Sequence, residues 1–417
     1  MKLQKLTFID LFAGCGGLSE GFLQASTYEG LAHIEWEMPM VETLRARLIA
    51  RWEHSPEDAL RKVIHFDLQR TNELIGGHWA ADARATYANT NHEAVISKGL
   101  RGLVGKRKVN LIIGGPPCQA YSLAGRAQDA ESMKYDYRNY LFESFVKVVK
   151  EFRPDAFVFE NVPGLLSACP GHIPVTKRIY DAFRNIGYEI RRPELLKKSI
   201  YTASDFGVPQ SRNRVIIVGV KADSTLNLEC LYEAIDSLRD KSNRSTVRST
   251  ISNLPRFKPL RTSIRKSGRS ISHSLIGPTK VKHHEARFHN QRDIGIFKQW
   301  IKGEMNRGTT ATKLAFYKKM VGKSSNHAKY RSLSWDQVSP TIVAHLHKDG
   351  LMFIHPDATQ ARSITVREAA LLQSFPNDYN FIGNQRYCYK MIGNAVPPQM
   401  SKSIAKAIYA GLISNGK

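Results

Sequence analysis

Acidic residues are nearly missing from one stretch of this 417-residue sequence: between positions 241 and 331, only Glu285, Asp293 and Glu304 oppose 22 lysines and arginines. That stretch supplies +19 of a total formal charge of +24. Phe257, Phe288, Phe297, Trp300, Phe316 and Tyr317 are interleaved with the cations. A small-molecule enzyme has no use for such a segment, whereas phosphates attract it whatever their sequence, so a nucleic acid is the expected partner. Cysteine is also scarce. The five residues at 15, 118, 169, 230 and 388 are odd in number, scattered and free of CxxC or Cys/His ligand spacing, which argues against a disulfide framework and against a metal site. No apolar run approaches the roughly 18 residues that span a bilayer. The first residues lead directly into a strand-like Thr7-Phe8-Ile9-Asp10 without the apolar core of a secretion signal. The expectation is a cytoplasmic protein with no membrane contact.

Short apolar segments ending in glycine-rich or acidic turns recur at 6–11, 31–36, 63–67, 109–114, 156–160 and 215–220, with helical stretches between them such as 140–152. This alternation predicts an α/β fold on a parallel sheet, whose ligands sit at the carboxyl ends of the strands. After Val220 the texture turns to Ser, Arg, Lys and Thr, which sets a second domain at 223–385, with 386–417 returning to the first domain at 1–222. Residues 365–375 read as an amphipathic helix closed by Pro376. The stretch 68–108 is poorly patterned and is expected to be a surface excursion.

The unusual residues fall at strand ends. Phe12-Ala13-Gly14-Cys15-Gly16-Gly17 follows the first strand, where glycines let the backbone turn tightly and approach a nucleotide-like cofactor. The third glycine of a dinucleotide fingerprint is absent, so a pyrophosphate is not favoured. Glu35-Trp36-Glu37 and Asp67 end the next two strands. Acids in these places suit ribose hydroxyls and an adenine amino group, which suggests an adenosine-containing cofactor. Gly114-Gly115-Pro116-Pro117-Cys118-Gln119 is a rigid turn that presents a cysteine at the ligand edge, a placement for nucleophilic attack if the thiolate is favoured. Glu160-Asn161-Val162 offers an acid. Arg212 and Arg214, in Gln210-Ser211-Arg212-Asn213-Arg214, share one face of an extended chain. Taken singly, these acids and arginines are equally compatible with structural salt bridges.

Together and in this order, the motifs resemble the DNA (cytosine-5)-methyltransferase family of the prokaryotic, restriction-modification type. Arg367-Glu368-Ala369-Ala370-Leu371-Leu372-Gln373-Ser374-Phe375-Pro376 is similar to its scaffold helix, and Gly393-Asn394-Ala395-Val396-Pro397-Pro398 to its last cofactor-side motif. Tyr121 departs from the usual phenylalanine. The resemblance implies a Rossmann-like S-adenosylmethionine-dependent sheet with a smaller, basic target-recognition domain. It implies methyl transfer to C5 of a cytosine flipped out of a duplex, with S-adenosylhomocysteine as product and no metal. Catalysis would fall to Cys118 as nucleophile, Glu160 at N3, Arg214 and Arg212 as contact and orienting groups, and Asn161 and Gln119 as pocket residues. The cofactor would be held by Asp10, Phe12, Gly14, Cys15, Gly16, Gly17, Glu35, Trp36, Asp67, Pro117, Leu141, Asn394 and Val396. Double-stranded DNA is the implied substrate, acted on by a monomer that shares its site with a cognate restriction endonuclease. Transfer RNA, a binding-only role and a small-molecule acceptor are the alternatives. The first is disfavoured by the large basic domain, the second by intact catalytic positions and the third by the charge.

Overall fold

The computed structural model describes residues 5–117, 141–242, 244–266, 268–348 and 350–414. Cys118, Gln119 and Tyr121 lie outside the described residues. The chain divides into two units, one of residues 1–207, 212–242 and 395–417, the other of 208–211 and 243–394.

In the first unit, β1 (Leu6–Leu11), β2 (Tyr28–Glu35), β3 (Val63–His65), β4 (Leu111–Gly114), β5 (Ala156–Asn161), β6 (Tyr188–Ile190) and β7 (Ile200–Thr202) join a longer strand at Asn213–Lys221. That longer strand is β9, because the short β8 (Gln210–Ser211) precedes it. The sheet order is β3-β2-β1-β4-β5-β9-β6, with β7 also pairing on β9. The five strands from β3 to β5 are parallel. β9 runs antiparallel to β5, with Asn161 opposite Val215. The expected all-parallel sheet is therefore mixed. The reversal has a consequence at the ligand edge, where β9 begins beside the carboxyl end of β5.

All six residues of β5 are buried, as a strand covered on both faces requires. The helix Leu141–Phe152 buries Leu141, Phe142, Phe145, Val148 and Val149, the stripe its sequence period predicts. The 68–108 stretch is not a surface excursion. It folds into helices at Thr71–Gly76, Ala81–Tyr87 and Glu93–Val104 and sends Trp79, Val95, Ile96, Leu100 and Leu103 into the main core, Trp79 stacking on Phe66 at 4.2 Å. Helix Thr71–Gly76 contributes Leu74 and Ile75 and helix Ala81–Tyr87 only Ala83, whereas helix Glu93–Val104, kinked at Gly99, supplies Val95, Ile96, Leu100, Leu103 and Val104.

The first unit runs on past the expected boundary at 222, because helix Leu228–Ser237 packs on it. The Tyr232 hydroxyl accepts the Val218 amide at 2.9 Å, and Leu231 packs so tightly on Gly411 that a Cβ there would meet it at 2.1 Å. Residues 386–394 belong to the second unit, Gly393 lying against the Ala344 backbone. The return begins at Ala395, and helix Pro398–Ser414 follows. There Ser401 Oγ donates to Leu18 O at 2.6 Å.

The second unit contains the hairpin of β10 (Phe257–Lys266) and β11 (Arg269–Leu275), and β12 (Ser339–Pro340) paired with β8. Ile294, Ile296, Phe297, Trp300, Tyr330, Ile354 and Ala361 form an apolar cluster. Helix Val366–Leu372 starts on a capping box between Thr365 and Glu368. Glu368 also takes the fully buried Arg362 guanidinium in a bidentate pair, at 2.6 and 2.7 Å.

Candidate active site

The carboxyl ends of β3, β2, β1, β4 and β5 share one edge, because these strands are parallel. At the end of β1 the chain turns through Phe12, Gly14 and Gly16, with φ of 59°, 57° and 87°. Gly17 opens helix Gly17–Gln24 so close to the returning chain that a Cβ would lie 2.5 Å from Val396 O. The turn is tied to β2 by Glu35, whose Oε2 accepts the Gly14 amide at 2.8 Å while Oε1 accepts the amides of Trp36 and Glu37, each at 2.9 Å. Burial pushes the Glu35 carboxyl up to about 7 against the pull of these three donors.

Asp10 is buried, and that burial lifts it to about 8. Ser19 Oγ donates to its Oδ2 and lies 2.8 Å from His33 Nδ1, while Asp10 Oδ1 has no hydrogen-bond partner among the described residues. Burial lowers His33 to about 3, so Ser19 meets a neutral imidazole. The sequence carries no motif that marks the Ser19 and His33 pair. Trp36 presents more than half of its surface to solvent. Asp67 caps the turn Leu68–Arg70, accepting the Gln69 amide at 2.9 Å.

An adenosine fits this edge. The edge offers carboxylates to hydroxyls and an amine, an exposed indole to a purine face, and, among the described residues, one unsatisfied buried carboxyl oxygen and space beside Gly14, where a Cβ would touch nothing within 4 Å. Pro117 is half-buried, and Leu141 is buried at the start of its helix. Val396 is buried in the first unit, whereas Asn394 is exposed in the second.

On the other half of the edge, Glu160 Oε1 receives Arg214 Nε at 2.5 Å. Arg212 and Arg214 are buried on either side of an exposed Asn213. Asn161 Nδ2 donates to Pro116 O at 3.2 Å, holding the turn that leads into Cys118. Both glycines of that turn face walls. A Cβ on Gly114 would lie 2.3 Å from Leu11 O, and one on Gly115 would lie 2.5 Å from Glu160 Oε2. The sequence shows the paired glycines, but only the fold shows what each faces.

The C-5 cytosine-specific DNA methylase model matches residues 6–78 and 66–410. The chain belongs to that family. A C-5 cytosine-specific DNA methylase methylates cytosine in DNA, and membership implies S-adenosylmethionine as donor. The chain is 34% identical to the Type II methyltransferase M.Bpa9945I of Bacillus paralicheniformis, covering 96% of this chain and 98% of that one. It is 30% identical to the Type II methyltransferase M.DdeI of Desulfomicrobium norvegicum, over 97% of this chain and 88% of that one. Among solved structures, the Entamoeba histolytica methyltransferase EhMeth has the same fold, with a TM-score of 0.54 at 14% identity, covering 98% of this chain and 99% of that one. For a methylase of this family, the edge of the first unit divides into a carboxylate-rich half on β1 to β3 and a half built from β4, β5 and β9. Among the described residues no group of His, Cys, Asp and Glu has a metal-binding arrangement, and no helix is long and apolar enough to cross a membrane.

Proposed function

We propose that this methylase modifies a cytosine turned out of a specific duplex sequence, through a covalent bond between Cys118 and C6. The observation that supports this most directly is the joint placement of Glu160, Arg214 and the Gly114-to-Pro117 turn. C5 of cytosine is a poor nucleophile until the ring is activated. The Cys118 thiolate forms the S–C6 bond, the C5=C6 electron pair moves to C5, and Glu160 gives a proton to N3 so that charge does not accumulate on the ring. Arg214, fixed through Nε on Glu160, is placed for the exocyclic oxygen, and Arg212 orients its neighbours. S-adenosylmethionine, when bound, supplies the methyl group that C5 takes. Loss of the C5 proton to a base re-forms C5=C6 and expels the thiolate, and N3 returns its proton to Glu160. Asp10, Phe12, Gly14, Cys15, Gly16, Gly17, Glu35, Trp36 and Asp67 hold the donor, with Pro117, Leu141, Asn394 and Val396 completing the pocket.

The second unit serves as the target-recognition domain. Its β10–β11 hairpin pairs Lys266 directly opposite Arg269 and Ile264 opposite Ile271. Like charges facing each other across a ladder are unfavourable without an anion between them, and a two-stranded ribbon fits the major groove. As the modification half of a restriction-modification pair, the monomer would share its site with an endonuclease. The test of the mechanism is Cys118→Ser. Methyl incorporation from labelled donor is expected to disappear while duplex binding persists, and full activity in that variant would remove the covalent step.

A further inference from the structure

The 68–108 segment has no part in the reading above, yet its middle, residues 87–91, reaches the cofactor edge. We propose that His65 is a positioning residue that fixes the Trp36 backbone, and that residues 87–91 are the support that fixes His65. This rests on the reading that Trp36 lies against the adenine.

The Trp36 peptide is held at both polar groups. Its amide donates to Glu35 Oε1 at 2.9 Å, and its carbonyl faces His65 Nε2 at 2.9 Å. A carbonyl only accepts, so Nε2 carries the proton and Nδ1 is left as an acceptor. The Thr90 hydroxyl lies 2.8 Å from Nδ1 and 2.9 Å from Tyr87 O, and its single proton serves one of these two acceptors at a time. Burial, the largest influence, lowers the His65 pKa, in keeping with this neutral form.

His65 is in turn gripped by its backbone. Asn91 Oδ1 accepts its amide at 2.9 Å, and Asn91 Nδ2 donates to its carbonyl at 2.8 Å and to Tyr87 O at 2.9 Å. The Tyr87 ring meets the imidazole edge-on at 5.1 Å. Thr90 is anchored by its own carbonyl, which accepts from Arg45 Nη2 at 2.8 Å, and the same guanidinium bonds Val63 O at the start of β3. An indole that must present one face to a purine loses that face if its peptide swivels. Four residues of the 68–108 segment and of helix Met38–Trp52 converge to stop it: Arg45, Tyr87, Thr90 and Asn91.

Binding of S-adenosylhomocysteine to the full chain by calorimetry, with KM for duplex DNA measured in parallel, tests this. Loss of one hydrogen bond predicts that His65→Ala weakens cofactor binding by about threefold to tenfold, with KM for DNA unchanged. His65→Gln, which keeps a donor near the Nε2 position, is expected to recover most of the loss. A general structural defect would move both constants and would not be rescued. Wild-type affinity in Trp36→Ala would overturn the pocket reading itself. Weakened binding in Trp36→Ala with wild-type affinity in His65→Ala would overturn only the positioning role. If His65→Ala does not fold, Thr90→Val decides the matter. It removes the hydroxyl beside Nδ1 at nearly constant volume and is expected to weaken binding by about threefold, and unchanged affinity in folded Thr90→Val would overturn the proposal.

Discussion

Arg214 donates from Nε to Glu160 Oε1 at 2.5 Å, across the boundary where β5 ends and the antiparallel β9 begins. The two side chains are 54 positions apart in sequence. They meet because β9 enters the sheet in reverse, placing its first residues beside the last residues of β5. Strand polarity thus supplies the proposed acid with its cation.

Gly115→Ala should damage the same carboxylate from the other side. The added Cβ would fall 2.5 Å from Glu160 Oε2, so either the acid or the turn into Cys118 must shift. Misplacing one catalytic group costs about 10²-fold or more in turnover. Labelled methyl incorporation should fall by that factor while duplex affinity, measured by anisotropy, stays near wild type. Unimpaired incorporation would show that Glu160 is not needed where it stands.

Acid should loosen the second unit before the first, which holds one histidine lowered to about 3, His33, and two raised carboxyls, Asp10 and Glu35, whose contribution grows as pH falls. His289 Nε2 accepts the Ser363 amide at 3.2 Å and His355 Nδ1 accepts the Asp357 amide at 3.2 Å, so protonation removes an acceptor in each case. Burial lowers both residues to about 3. The folded protein therefore binds fewer protons than the unfolded chain between about pH 3 and the ordinary histidine value of about 6.5. Stability rises with pH across that window and is indifferent to these groups above it. Each histidine contributes on the order of 1 to 3 kcal/mol to the loss as pH falls through the window. Hydrogen exchange should show amides in 243–394 losing protection between pH 6.5 and 4.5.

Asp10 has the opposite sign. Its folded pKa is raised to about 8 by burial, so the native state binds more protons than the unfolded chain from about pH 4 to 8, and stability falls as pH rises across that range. Asp10→Asn imitates the protonated acid and should flatten this slope. Thermal melts of the two proteins are expected to differ more at pH 9 than at pH 5. Parallel curves would mean that Asp10 is ionised in the fold.

Lys266→Ala with Arg269→Ala should weaken duplex binding for all sequences and lower the slope of log affinity against log salt by about 2, one for each phosphate contact. Both side chains are exposed on the hairpin. An unchanged slope would place the phosphate grip elsewhere in the basic segment.

The motifs at strand ends were legible because chemistry there needs particular residue types. Paired glycines, a Pro-Pro-Cys turn and acids after successive apolar runs are visible without a fold. The 68–108 helices were not, since Trp79 reaches the core from a loop between two short helices, and the kink at Gly99 breaks the period between Val95 and Leu100 within helix Glu93–Val104. The domain boundaries shifted for a similar reason. The change of texture after Val220 sets the start of the second domain at 223, but helix Leu228–Ser237 stays with the first unit because Tyr232 and Leu231 find partners in Val218 and Gly411.

By itself, then, the sequence determined which residue types stand at the ligand edge, the alternation that places them there, and the excess of cations that selects a polyanion. These are local or compositional properties. Tertiary structure alone decided that β9 runs backward to bring Arg214 onto Glu160, that Gly115 must lack a side chain because Glu160 occupies its space, and that Thr90 and Asn91 brace His65 beneath the Trp36 peptide. Each of these depends on the distance between groups remote in sequence, which the order of residues does not contain.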